Sequence, residues 1–152
     1  MLNNEAIDAD SNFYNDLSLA DSRYVTTYEL SNSMHILADD LSILHVNCQS
    51  INKKFKNLLQ ILHQLHFKIP VIAVTETWTT KLTENDFSIP GYTFVAKSRE
   101  HKTGGGVGLY ILNTINFKIK SDLIFDTDEF ESVFIELLQS NIIVGCVYRP
   151  PN

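Results

Sequence analysis

Leu41-Ser42-Ile43-Leu44-His45-Val46, followed by an apolar stripe from Ile51 to Leu65 and then Val71-Ile72-Ala73-Val74, is the stretch whose reading decides the fold. The first six residues alternate and are rich in β-formers, so they read as a strand. Asn47 to Ser50 are turn and cap formers, and Ser50 is placed to act as an N-cap. Ile51, Phe55, Leu58, Leu59, Leu62 and Leu65 recur at helical spacing, while Lys53, Lys54, Lys56, Asn57 and Gln60 fall on the opposite face. Pro70 stops that helix, because proline disfavours helical geometry in the residue before it. Residues 71–74 are uniformly apolar, as suits a strand covered on both faces. Strand, helix, strand makes the class α/β or α+β.

Working outward, residues 79–90 are polar and Pro90-Gly91 signals a turn. Residues 92–96, 106–112, 115–120, 132–138 and 142–148 read as strands. Asn113-Thr114 and Gln139-Ser140-Asn141 are the hairpin candidates, so the second half reads as a β-meander. On the N-terminal side the composition changes. Residues 1–40 hold eight acidic residues and one basic residue, whereas residues 41–152 hold ten acidic and eleven basic. The overall charge of −6 therefore belongs to the first 40 residues and does not argue against a nucleic-acid partner for the rest. That segment reads as an acidic, mostly disordered leader, with scattered apolar residues that leave open a short helix or docking onto the domain. The body, residues 41–152, reads as one globular unit. No apolar run approaches the ~18 residues that would cross a bilayer. The start lacks a secretory pattern, and Cys48 and Cys146 are too few for a disulfide framework. The expectation is an intracellular protein, nuclear or cytoplasmic, that is neither secreted nor membrane-bound and has no small-molecule cofactor.

Several residues have chemistry to offer. Glu76 follows a buried strand, where open α/β sheets place ligand contacts, and a carboxylate there is a hard oxygen ligand suited to Mg2+. The plainer alternative is a solvated Glu at a strand end. Asn47 ends the first strand, and if the two strands are neighbours the two residues share one rim. Gly104-Gly105-Gly106-Val107-Gly108 fails as a phosphate loop, since no Gly-Lys-Ser/Thr ending follows and a strand, not a helix, comes next. Arg99, His101 and Lys102 give the preceding loop a basic character useful near a phosphate backbone, or simply a solvated one. Tyr148 and Arg149 put a phenol and a guanidinium side by side before Pro150 and Pro151, and both can donate to phosphate oxygens. His45, His63 and His66 read as core or helix-surface histidines, and Trp78 as a packing anchor.

Leu44-His45-Val46-Asn47-Cys48-Gln49-Ser50, Val74-Thr75-Glu76-Thr77-Trp78, Gly104 to Ile111, Glu131 to Glu136 and Val147-Tyr148-Arg149-Pro150-Pro151-Asn152 together resemble, in order, the motifs of the endonuclease/exonuclease/phosphatase superfamily, the DNase I-like fold. The wording around Glu76 and Tyr148 is closest to the apurinic-type endonuclease domains of non-LTR, jockey-like retrotransposons. The resemblance implies a two-sheet α/β sandwich with outer helices, and hydrolysis of a DNA phosphodiester with Mg2+ or Mn2+. It implies Glu76 as metal ligand, Asn47 as organiser of metal and water, and Tyr148 as a donor to the scissile phosphate. Arg99, Lys102, Arg149 and Asn152 would face the nucleic acid, and the intact parent would be joined to a reverse transcriptase.

The family also carries an Asp-x-Asn motif and an Asp-His pair after the tyrosine strand. Here only Arg149-Pro150-Pro151-Asn152 follow Tyr148. The expectation is thus the N-terminal part of such a domain, inactive or very weak by itself, with an incompletely covered sheet. The alternatives are a non-catalytic nucleic-acid-binding remnant and a phosphoesterase of the same superfamily.

Overall fold

A computed structural model describes residues 24–33, 41–80, 84–97, 104–124 and 130–149. Helix α1 spans Thr27–Ser33, strand β1 Ile43–Asn47, helix α2 Ile51–Gln64 and strand β2 Val71–Thr75. A 3-10 turn at Glu84–Phe87 leads to β3 (Tyr92–Lys97) and β4 (Val107–Leu112). β5 (Phe117–Ile119), a 3-10 turn at Ser121–Leu123, β6 (Glu131–Leu137) and β7 (Ile142–Tyr148) complete the described chain. The strands form two sheets, one of four strands in the order β1-β2-β4-β3 and one of three in the order β5-β6-β7. The class is mixed α+β.

Period-two alternation explains how the layers stack. Ile72 and Val74 of β2, with Tyr110 of β4, face α2 and join Ile51, Leu58 and Leu65 in one core. Val71 and Ala73, with Val107, Leu109 and Ile111, face the other way. There they meet Val133, Ile135 and Leu137 of β6 and Val144 and Cys146 of β7 in a second core. β2 is buried at every residue, as its uniform apolar run predicts. The stripe predicted for α2 is the face it buries or half-buries, and its lysines are exposed.

Two expectations are corrected. β4 and β5 do not pair, so Asn113-Thr114 is not a hairpin but the turn at which the chain leaves one sheet for the other. Only β5-β6-β7 is a meander; β4 lies between β2 and β3. Second, Ser50 occupies the N-cap position of α2, but at φ 89° its hydroxyl makes no capping bond. Its backbone serves instead: the carbonyl accepts from Lys53 and Lys54, and the N–H donates to the Glu76 carbonyl. The short docked helix left open for residues 1–40 is present at Thr27–Ser33. Thr26 and Glu29 form a reciprocal capping box at its start, with Thr26 N–H to Glu29 Oε2 at 2.8 Å and Glu29 N–H to Thr26 Oγ1 at 3.2 Å. The helix docks on α2 through Thr27 Oγ1 to Gln64 Oε1 at 2.9 Å and through Leu30. The remainder of that segment, apart from residues 24–26, lies outside the described residues.

The inner faces of the two sheets cover one another. What stays open is the outer surface of the second sheet, where Ile143 and Val147 are exposed.

Cys48 lies in the α2 core and Cys146 in the inter-sheet core, both as free thiols. Burial pushes the Cys48 thiol up to about 11, with the nearby Glu76 charge adding to the effect. Burial likewise pushes Cys146 up to about 11. The buried Tyr110 phenol is raised for the same reason. A thiol with an ordinary value near 9 ionises more readily in the unfolded chain, so its contribution to stability is complete below pH 9 and is lost between pH 9 and 11. The urea midpoint is expected to fall across that window, and to fall less steeply in a Cys48→Ala/Cys146→Ala variant. Identical slopes would contradict the burial of the two thiols.

Candidate functional site

β1 and β2 run parallel with Asn47 opposite Thr75, so the residue ending β1 lies beside the residue that follows β2. Asn47 Nδ2 donates to Glu76 Oε1 at 2.8 Å. The convergence that the sequence made conditional on strand pairing is therefore present. Asn47 Oδ1 accepts from the Gln49 N–H at 3.2 Å, which fixes which way the amide points. With Oε1 engaged, the second oxygen of Glu76 has no hydrogen-bond partner among the described residues. Glu76 is half-buried and Asn47 exposed, so the pair is reachable from solvent.

The backbone around this pair is held in an unusual way. Gln49, Ser50, Glu76 and Trp78 all have positive φ, at 44°, 89°, 53° and 53°. Only one other non-glycine residue among those described, Asn141, shares that feature. Left-handed backbone at a bulky residue costs about 1–2 kcal/mol and persists only where the surroundings impose it. Here ladder bonds continue past the strand ends and impose it. Cys48, Ser50 and Ile51 N–H groups donate to the carbonyls of Thr75, Glu76 and Thr77 at 2.8–2.9 Å. On the far side Thr77 and Trp78 donate to Gly106 and Gly105 at 3.2 and 2.9 Å.

The glycine run thus forms the wall of the site and does not act as a phosphate loop. Gly106 has φ 88°, and a Cβ placed on it would collide with the buried Thr77 Oγ1. Its N–H donates to the carboxylate of Glu131, a buried residue at the start of β6. In register, Glu131 lies opposite Tyr148, the last residue of β7. Tyr148 lies on the same face of β7 as Cys146, whose thiol donates to the Val74 carbonyl at 3.5 Å. The ends of β1, β2 and β7 and the starts of β4 and β6 therefore meet at one rim. Asn47 and Glu76 are in direct contact there, and Tyr148 reaches it through Glu131 and Gly106.

Arg149, exposed at the same rim, stacks its guanidinium over Phe130 at 5.8 Å. Arg99, Lys102 and Asn152 lie outside the described residues. His45 Nε2 is 3.3 Å from Thr75 Oγ1 on an exposed strand position, and His63 and His66 are exposed. Trp78 is not a packing anchor: it is 47% exposed. Glu131 and Thr77 were not identifiable as site-forming from sequence, since their role depends on the pairing of distant segments. The exposed Lys53 and Lys54, read as the wet face of α2, belong to its first turn and so border the rim.

Among the described residues no group of three or more His, Cys, Asp or Glu converges as a metal cage. A hard divalent cation does not require one, because Mg2+ commonly takes one or two carboxylates with water and phosphate oxygens. The second carboxylate oxygen of Glu76 would suit that role, and Asn47 would hold the carboxylate in position for it. No helix among the described residues is long and apolar enough to cross a membrane. In comparison with known proteins, no family model and no curated protein matches this chain.

Gly106→Ala is expected to lower stability by on the order of 2 kcal/mol, since it combines a left-handed φ with a clash against Thr77. Thr77→Ala in the same background should restore part of the loss by removing the clashing hydroxyl. Urea denaturation of the single and double variants checks this, and strictly additive effects would count against the packing described.

Proposed function

We propose that this rim is the phosphodiester-binding end of a DNase I-like nuclease fold of the endonuclease/exonuclease/phosphatase kind, acting on DNA with Mg2+ or Mn2+. The observation that carries the reading is the Asn47–Glu76 hydrogen bond on a rim of imposed left-handed backbone. Glu76 would hold the cation, and Asn47 would keep the carboxylate turned toward it. The phenol of Tyr148 and the guanidinium of Arg149 would donate to phosphate oxygens on which charge builds. Lys53 and Lys54 would add attraction for the phosphate backbone. A bound divalent cation would supply neutralisation of developing negative charge on the phosphate. The retrotransposon-like wording of the Glu76 and Tyr148 segments favours DNA over small phosphoesters, in a parent joined to a reverse transcriptase.

One observation favours a second reading, a nucleic-acid-binding module that does not cleave. Among the described residues, no group of three or more His, Cys, Asp or Glu forms at Glu76. If no such group assists, nicking is expected to be slow, because general acid–base catalysis commonly contributes 10²–10⁴-fold. A supercoiled-plasmid assay with Mg2+ separates the readings. The expected result is slow nicking that falls on the order of a hundredfold, or to background, in Glu76→Ala and Asn47→Ala. Nicking that survives Glu76→Ala unchanged overturns the site. Binding with a steep salt dependence but no nicking in any form selects the module.

A further inference from the structure

Trp78 is the chain's single tryptophan, and a large apolar side chain is ordinarily placed where it can be buried. Here it is 47% exposed, two residues beyond Glu76. Its backbone is held at φ 53° by the bond from its N–H to the Gly105 carbonyl at 2.9 Å. Its neighbours Thr77 and Thr79 are both buried, and their hydroxyls are hydrogen-bonded to each other at 3.1 Å. The segment is thus anchored on either side of the indole while the indole itself stays out. Gly104 lies near one edge of the ring, where even a Cβ would stand 3.8 Å from Nε1, at ordinary van der Waals distance. The other ring pairs among the described residues are packed, Phe55 against Phe87 and Phe94 against Tyr110. The indole of Trp78 makes no ring contact or hydrogen bond among the described residues.

We propose that Trp78 is a base-stacking residue: its indole packs on an unstacked nucleobase next to the phosphate held at the Asn47–Glu76 rim. The proposal rests on the phosphodiester reading of that rim and adds the form of DNA it takes, single-stranded or locally opened. The surroundings favour a nucleobase over an apolar protein surface. Trp78 is an exposed ring on the loops that carry the polar Asn47, Gln49 and Glu76, at a rim that also holds Tyr148 and Phe130. Lys53, Lys54 and Arg149 border the same rim. An exposed aromatic among polar and basic groups is the pattern with which proteins hold single strands, the cations tracking phosphates and the ring taking a base. The exposed apolar side chains suited to a protein partner, Ile143 and Val147, lie on the outer face of the other sheet.

The single tryptophan reports directly on this contact. Intrinsic fluorescence is titrated with a short single-stranded oligothymidylate and with an oligomer of equal length whose residues are abasic. The thymidylate should quench the emission and bind roughly five- to hundredfold more tightly than the abasic oligomer, the range expected for one or two stacked bases. In an anisotropy assay with labelled oligomers, Trp78→Ala should bind both equally, whereas Trp78→Phe should keep most of the preference. Circular dichroism shows that each variant is folded. Equal binding of the two oligomers by the unaltered chain overturns the proposal, as does a base preference that survives Trp78→Ala or a lack of quenching. Glu76→Ala separates this claim from the rim's. A base preference retained in Glu76→Ala, with nicking unaffected by that change, leaves stacking standing and removes the catalytic reading. Glu76-dependent nicking without any base preference does the reverse.

Discussion

β2 is the constraint on which the structure depends. Val71, Ile72 and Val74 have no exposed surface, and the strand is covered by α2 on one side and by β6 and β7 on the other. A strand buried on both faces cannot carry polar side chains until it emerges, so the chain's first charged group after Lys68 is Glu76, at the point of emergence. The parallel partner β1 is an edge strand with a half-exposed alternating pattern, and it emerges at the same level with Asn47. The register is fixed because a slip by one residue would turn Leu44 and Val46 away from the helix-side core they pack against. The same register sets Asn47 beside Glu76. The site geometry is thus a by-product of how the core must pack.

Beyond the strand ends the backbone does something that packing alone does not require. Four non-glycine residues and three consecutive glycines adopt positive φ within the loops around the pair. Each of the four non-glycines costs free energy, of order 1–3 kcal/mol, while the glycines adopt this conformation without steric penalty. The cost is offset by the extended ladder of backbone bonds that runs from residues 48–51 through 75–78 to Gly105 and Gly106. Glu131 ties that ladder to the second sheet through the Gly106 N–H. Strain concentrated around this carboxylate–amide pair, and held from both sheets, keeps the two groups fixed in position.

Much of this was legible in the sequence, for identifiable reasons. The α2 stripe and the uniformly apolar β2 are local signals of burial, and both read correctly. Asn47 and Glu76 could be singled out because each follows a strand, although their contact depended on a pairing that periodicity does not reveal. The exit from one sheet to the other after Leu112 could not be read, because Asn113-Thr114 has the same local chemistry as a hairpin and only the partner strands decide. Glu131 was hidden for a similar reason: a glutamate opening a strand looks solvated until Gly106 is brought over it. Trp78 misled because a tryptophan just beyond a buried strand is usually an anchor, and nothing local shows that its backbone turns the ring outward.

Paramagnetic broadening by Mn2+ in an amide NMR spectrum of the chain tests most directly whether the Asn47–Glu76 pair is a cation-binding rim. The account predicts that substoichiometric Mn2+ broadens the signals of Asn47, Glu76, Thr77 and Gly106 first, and that Glu76→Gln abolishes the effect at those residues. Broadening centred elsewhere, for instance on Asp122 and Glu136 beside Lys120, or unchanged broadening in Glu76→Gln, would contradict it.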